Sequence, residues 1–225
     1  MSAQDALTLL RTQSLTTVVH NELERRIIDG SLLPGAPLRE TSIATELGIS
    51  RGPVREAFRM LEERGLVQFE KNCGVRVRQL ALEHARQIYQ IRLPLEGLIA
   101  ELATAALDDS GREQLIALLQ AMKSAAAEQD SAAYTLLNFQ LHDRLAQLSG
   151  NQALHDTYRR LVVQLKLLRS HSLRQLHRLE VSFAEHRAVV EAMIKGDATE
   201  AACLLKAHTQ ASLQRIELAI EMQKN

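Results

Sequence analysis

Ser50-Arg51-Gly52-Pro53-Val54-Arg55-Glu56-Ala57-Phe58-Arg59-Met60-Leu61 is the stretch whose reading decides the fold. Val54, Phe58 and Leu61 recur at i, i+4 and i+7 and so share one apolar face of a helix. Arg51, Arg55 and Arg59 recur at i, i+4 and i+8 and line another face. Ser50 suits an N-cap, and Pro53 falls in the first turn, where its missing N–H does no harm. Gly52 leaves the start of the basic face without bulk, so that another backbone can approach it. Arginine forks on such a face match phosphates or the O6/N7 edge of guanine. An arginine stripe alone is also what a solvated helix shows, and the preceding residues decide between the two. Thr41–Leu47 reads as a short helix and Gly48-Ile49-Ser50 as a tight turn. Helix, glycine turn and basic helix in succession form the pattern of a DNA-reading helix-turn-helix.

Outward from this core, the flanks complete a small domain over residues 12–79. Leu15, Val18, Val19, Leu23 and Ile27 trace a helical stripe that Asp29-Gly30 ends. Residues 31–38, with two prolines around Gly35, read as a loop. After the Arg64-Gly65 stop, Val67 and Phe69 alternate with Gln68 and Glu70, and Val75 and Val77 alternate with Arg76 and Arg78. That is a β-hairpin with one apolar and one polar face, its tip at Lys71–Gly74. A hairpin directly after the basic helix is a wing.

Residues 80–222 read as helix throughout, an antiparallel six-helix bundle with spans near 82–107, 112–128, 131–149, 152–175, 180–195 and, after an Asp197-x-x-Glu200 capping box, on to about 222. Pro94 is expected to kink or break the first of these, and Asp109-Ser110-Gly111 to separate it from the second. The expected fold is therefore mainly α, a winged helix-turn-helix followed by a helical bundle.

Composition bounds the partners. The 225 residues carry 27 basic and 27 acidic side chains, so the chain is no polycationic coat for nucleic acid. Residues 1–80 hold 11 basic and 10 acidic groups and the remainder 16 and 17, so any DNA binding rests on local placement of charge. Leu and Ala supply the apolar mass, aromatic content is 3%, and Trp is absent, which suits helices packed on helices. Cys73 and Cys203 are far apart and show no zinc-finger spacing, as expected of a reducing compartment. No secretory or membrane-spanning stretch is visible, and the expectation is a soluble, cytoplasmic protein without a membrane partner.

Among the histidines, His186 lies ten residues before Gly196 and His208 eleven after Asp197. At about 1.5 Å rise per residue the two sit at the same depth of a helical hairpin. Asn138 and His142 are i, i+4 on one face of another helix. Spacing leaves two readings open. Three imidazoles and an amide oxygen converge as a divalent-metal site with open positions, or they are ordinary core and surface histidines, as His155, His171 and His177 are taken to be.

The N-terminal residues Gly30, Leu32, Pro34-Gly35, Leu38, Leu47-Gly48, Ser50-Arg51, Pro53-Val54-Arg55-Glu56-Ala57, Leu61, Gly65-Leu66-Val67, Gly74 and Val77 resemble the GntR family of bacterial transcription regulators. The C-terminal half is similar to the helical FCD effector domain of the FadR branch, in its six-helix VanR-type variety. It shares Arg92, Glu96, Asn138 with His142, Ser149-Gly150-Asn151, Glu185-His186, Gly196-Asp197 and His208. The resemblance implies a homodimer on a pseudo-palindromic operator and a bundle pocket that holds a divalent metal and takes a small organic acid. Arg51 and Arg55 match the family's DNA-contacting arginines, Gly52 a contact at the start of the recognition helix, and Gly74 the wing glycine. Arg59 shares their face. Thr41 stands where many members carry another DNA-contacting arginine. His142, His186 and His208 match the metal histidines, and Asn138 replaces what is commonly an aspartate. The expected metal is zinc, with nickel and manganese the other candidates. Arg92 is read either as the partner of an effector carboxylate or as a helix-pairing arginine.

The function expected from all this is a ligand-responsive regulator of transcription and not an enzyme. Two rivals are a metal-dependent hydrolase using the three histidines and a constitutive DNA-binding dimer without metal. Against the first, no acidic base or nucleophile stands at a motif spacing near the histidines.

Overall fold

The computed structural model describes residues 14–70, 74–172 and 179–222. They fall into two compact units, one made of residues up to Leu80 with Val163–His171, the other of Ala81–Val162 and the chain from Ser172 onward.

The first unit holds α1 (Leu15–Ile28), β1 (Pro37–Leu38), α2 (Glu40–Leu47), α3 (Arg51–Glu63), β2 (Val67–Glu70) and β3 (Gly74–Val77). Ser14 caps α1 by accepting a hydrogen bond from the Thr17 N–H at 3.1 Å. Gly48 ends α2 in the left-handed region, φ 66°, which a glycine adopts at no steric cost. Ser50 occupies the N-cap position of α3, yet its side chain makes no capping bond. The apolar face of α3 is buried as expected, with Val54, Ala57, Phe58 and Leu61 packed against Val19, Leu23 and Ile27 of α1 and against Leu66, Val67, Val75 and Val77. Val163 and Leu167, from α7 (Gln152–Ser172), complete this core.

Two local expectations are corrected in this unit. Residues 31–38 are not wholly loop, because Pro37 and Leu38 pair antiparallel with Arg76 and Val75, giving a three-stranded sheet of order β1-β3-β2. Pro37 is tolerated there because β1 is an edge strand. The hairpin's apolar face holds at Val67, Val75 and Val77, but Phe69, which pairs with the buried Val75, is 45% exposed. Lys71–Cys73, the expected tip, lie outside the described residues, as do residues 1–13.

The second unit is helical, with α4 (Leu82–Ala105), α5 (Asp109–Ala127), α6 (Ser131–Leu148), the start of α7, α8 (Leu179–Ile194) and α9 (Ala198–Met222). With α1–α3 these make nine helices among the described residues, as the mainly α reading expects. Pro94 does not break α4, which runs unbroken around it. The start of α5 is also corrected. Asp108 caps it by accepting from the Gly111 N–H at 2.7 Å, so Gly111 sits buried in its first turn against Leu148 and does not separate two helices. Asp130 caps α6 through the N–H groups of Ala132 and Ala133. Asp197 accepts from the Glu200 N–H at 3.0 Å at the start of α9. Ile99, Leu115, Met122, Leu141, Leu145, Val190 and Leu205 form the centre of the bundle core. Among the described residues no helix is long and apolar enough to cross a membrane.

Candidate metal centre and nucleic-acid interface

His142 on α6, His186 on α8 and His208 on α9 meet inside the bundle, at 4%, 1% and 4% exposure. Their ring centroids are 5.2 Å (His142–His186), 5.4 Å (His142–His208) and 4.1 Å (His186–His208) apart. One ring nitrogen from each lies within 4.8 Å of the others. The hairpin of α8 and α9, turning at Gly196 (φ 78°), thus brings its two histidines to one depth. The approach of α6 is what spacing left open. Asn138, one turn before His142 on α6, is buried as well.

Hydrogen counting assigns the tautomers. The Nδ1 of His186 lies 2.6 Å from the Ser182 carbonyl, which can only accept, so Nδ1 carries the hydrogen. The Nδ1 of His208 lies 2.7 Å from Glu185 Oε2 and donates to that carboxylate. The Tyr158 hydroxyl donates its one hydrogen to Glu96 Oε1, so its oxygen accepts from His142 Nδ1 at 3.3 Å. In its neutral form each ring then carries its lone pair on Nε2. The Nε2 atoms of His142 and His186 lie 3.2 Å apart, within hydrogen-bonding distance. Two lone pairs at that distance repel unless a proton or a metal ion lies between them. Zn–N bonds of about 2.0–2.1 Å in tetrahedral geometry place ligand nitrogens about 3.3 Å apart. The residues present fit a divalent cation.

Two arginine–carboxylate relays support these rings from behind. Arg215 donates from both terminal nitrogens to Glu185 at 2.9 Å each, and Glu185 accepts from His208. Burial alone would push the Glu185 carboxyl up, but the bonds from His208 and Arg215 hold it down at about 2. Burial pushes His208 down to about 4 against the pull of Glu185, in keeping with a neutral Nδ1–H ring. On the other side Arg92 donates to Glu96 Oε1 and, at 3.3 Å, to the Tyr158 oxygen, with its guanidinium 4.8 Å from the centre of the Tyr89 ring. Burial works against the Glu96 charge, yet Arg92, His142 and Tyr158 keep its carboxyl below the usual carboxylate range. Arg92 is thus tied to Glu96 one turn on along its own helix and to Tyr158 of α7, while its Nε, Glu96 Oε2 and Thr209 Oγ1 are buried and have no hydrogen-bond partner among the described residues. Sequence reasoning assigned no role to Tyr158, Ser182, Glu185 or Arg215. Of these Glu185 stood beside His186 in the family resemblance, and Arg215 lies seven residues after His208 and so on the same face of one helix. His155 pairs with Asp143 at 2.9 Å, and His177 lies outside the described residues.

In the first unit Arg51, Gly52, Arg55 and Arg59 are exposed along α3, and Thr41 is exposed at the start of α2. A Cβ built on Gly52 meets nothing within 4 Å. Gly74 opens β3 at φ 82°, a backbone conformation that favours glycine. Arg59 pairs along the helix with Glu56 at 3.1 Å. Arg55 pairs across the turn with Glu40, a residue sequence reasoning passed over. The wing's Arg76 is tied to Glu70 and to the Gly35 carbonyl, both at 3.0 Å.

Comparison with known proteins agrees with this division. Residues 2–77 match the family of bacterial regulatory proteins named gntR, and residues 87–211 match the FCD domain. The chain is 31% identical over 205 residues, 91% of its length and 89% of the relative's, to a protein of Paenarthrobacter nicotinovorans named "Probable D-xylose utilization operon transcriptional repressor". It is 28% identical over 193 residues, 85% of both chains, to the HTH-type transcriptional repressor RspR of Escherichia coli. The solved structure of E. coli McbR/YncC, 23% identical, superposes with a TM-score of 0.82 over 95% of this chain and 100% of that one, a likeness of fold. These families and relatives are regulators and not enzymes, which sets the hydrolase reading aside. The chain belongs to the GntR family of bacterial transcriptional regulators, with a DNA-binding helix-turn-helix domain and an FCD domain.

Proposed function

We propose that this regulator binds a pseudo-palindromic operator as a homodimer in the cytoplasm, and that a small organic acid bound beside a divalent cation in the FCD domain alters its DNA affinity. The observation that carries the reading is the convergence of three buried imidazoles, each with an oxygen partner at Nδ1. His142, His186 and His208 would hold the cation, with Asn138 offering a neutral amide oxygen where a carboxylate would add charge. Zinc is the first candidate for imidazole donors, and nickel and manganese accept them too. Once bound, the cation supplies open coordination positions to an anionic ligand. Arg92 Nε–H, Glu96 Oε2 and Thr209 Oγ1, unpartnered in the protein, are the groups left to orient that ligand.

On the DNA side, Arg51, Arg55 and Arg59 on α3, Thr41 on α2 and Gly74 on the wing form the contact set, with Gly52 allowing close approach. Phosphate contacts set the register and base contacts the sequence. By linkage, a coupling of about 1–3 kcal/mol between effector and operator acts equally in both directions. The test is elemental analysis of untagged protein beside a His186→Ala/His208→Ala variant, followed by operator binding with and without small carboxylic acids. The name of the Paenarthrobacter relative adds D-xylose to the compounds to screen. About one divalent metal per chain in the native protein and none in the variant supports the reading. A metal-free native protein, after incubation with zinc, nickel and manganese, overturns it.

A further inference from the structure

We propose that Glu40 is a specificity-determining residue of the DNA interface, clamping Arg55 so that it reads a base edge in preference to gripping phosphate. The inference rests on the reading that α3 enters DNA. Glu40 opens α2 and Arg55 lies in the second turn of α3, fifteen residues later. The guanidinium donates side-on, Nε to Oε1 at 3.0 Å and NH2 to Oε2 at 2.9 Å. Both carboxylate oxygens are used, so the plane of the guanidinium is set.

The clamp has two consequences. First, of the five N–H donors of Arg55 it takes one from Nε and one from NH2. The NH1–NH2 edge stays free, and that pair of parallel donors matches O6 and N7 of guanine. An arginine held in this way reaches a base without losing much side-chain freedom on binding. Second, the pair is neutral. A lone arginine on a DNA-facing helix attracts any phosphate, whatever the sequence, whereas the Glu40 carboxylate cancels that attraction and repels phosphate itself. Its reach extends beyond Arg55. The carboxyl of Glu40 is held below the ordinary range first by the Arg55 hydrogen bond and then by the charges of Arg55, Arg51 and Arg59. Glu40 thus acts on all three arginines of the stripe, of which Arg59 also pairs with Glu56.

A role in folding alone does not account for the pair. Arg55 is 54% and Glu40 27% exposed, and an ion pair this open adds little to stability. The two helices are already joined by the apolar core, to which α2 gives Ile43 and Ala44 and α3 gives Val54 and Phe58. The near balance of charge over residues 1–80 points the same way, since this domain is not built to hold DNA by bulk charge.

The test uses the full chain. Duplexes are enriched from a random-sequence pool on the wild-type protein, and dissociation constants are measured for the enriched duplex and for an unrelated duplex over a salt series. Wild type, Glu40→Gln, Arg55→Ala and the double variant are compared, after thermal melting shows that all are folded. Glu40→Gln is expected to tighten binding to the unrelated duplex about tenfold, to steepen its salt dependence by about one unit of slope, and to shrink the enriched-to-unrelated ratio about tenfold. In the Arg55→Ala background the same change should move the ratio less than twofold, because the residue it positions is gone. If Glu40→Gln leaves ratio and slope unchanged while Arg55→Ala collapses the ratio, Arg55 reads DNA unaided and the inference alone fails. If Arg55→Ala also leaves the ratio unchanged, the assignment of α3 as the reading helix fails, and the inference with it.

Discussion

The Nε2 atoms of His142 and His186 point at each other across 3.2 Å, and both rings keep their hydrogens on the far nitrogen. The protein has spent its hydrogen-bond acceptors, a carbonyl, a carboxylate and a tyrosine oxygen, on the outer side of the triad. On the inner side either a proton on one Nε2 or a metal cation relieves the repulsion.

Metal removal should therefore destabilise the FCD domain. At a metal concentration 100 times its dissociation constant, binding stabilises by about 2.7 kcal/mol. For a protein of this size that corresponds to a fall of about 5–10 °C in thermal midpoint on chelation. Calorimetry with and without a chelator measures it. The His186→Ala/His208→Ala variant should show no chelator response, and an equal response in the variant would place the effect elsewhere.

Glu185 holds the Nδ1–H of His208 and is itself held by Arg215. Replacing it by Gln keeps the shape and removes the charge that raises the ring's basicity. Metal affinity should fall about 10–100-fold, read by competition against a chromophoric chelator. Affinity within twofold of wild type would show that the relay is structural only.

Arg92 and Glu96 are a fully buried pair, so their single and double variants should behave differently. Arg92→Met leaves the Glu96 carboxylate buried without its main countercharge and should cost about 3–5 kcal/mol in urea unfolding. Arg92→Met/Glu96→Met removes both charges and should recover most of that loss. A double variant no more stable than the single one would mean that the cost lies in the packing of the arginine stem.

Gly52 should separate folding from DNA binding. An added Cβ meets nothing in the free protein, and alanine is the better helix former, so Gly52→Ala should raise stability by about 0.5–1 kcal/mol. If backbone or phosphate packs against this position, the same change should weaken operator binding at least tenfold. Stability and affinity that rise together would remove Gly52 from the interface.

Much of the architecture was legible in the chain because it rests on relations within a few residues. Val54, Phe58 and Leu61 bury together, and Arg51, Arg55 and Arg59 stay out, because a helix repeats its faces every three to four residues. The glycines at 48, 65 and 196 could be read as stops because glycine adopts positive φ without strain. Counting along a hairpin brought His186 and His208 to one level, since the rise per residue is constant.

What only the tertiary structure decided lies between elements. The two-residue strand Pro37–Leu38 has no periodicity of its own and exists because β3 offers it an edge. The third histidine joins the other two only because core packing turns α6 to face α8 and α9. The partners that give the site its chemistry are 62 residues apart for Tyr158 and Glu96, 23 for His208 and Glu185, and 15 for Arg55 and Glu40. No local rule relates such pairs. Each depends on how far a helix is rotated about its own axis, and that angle is chosen by the apolar side chains on its far side.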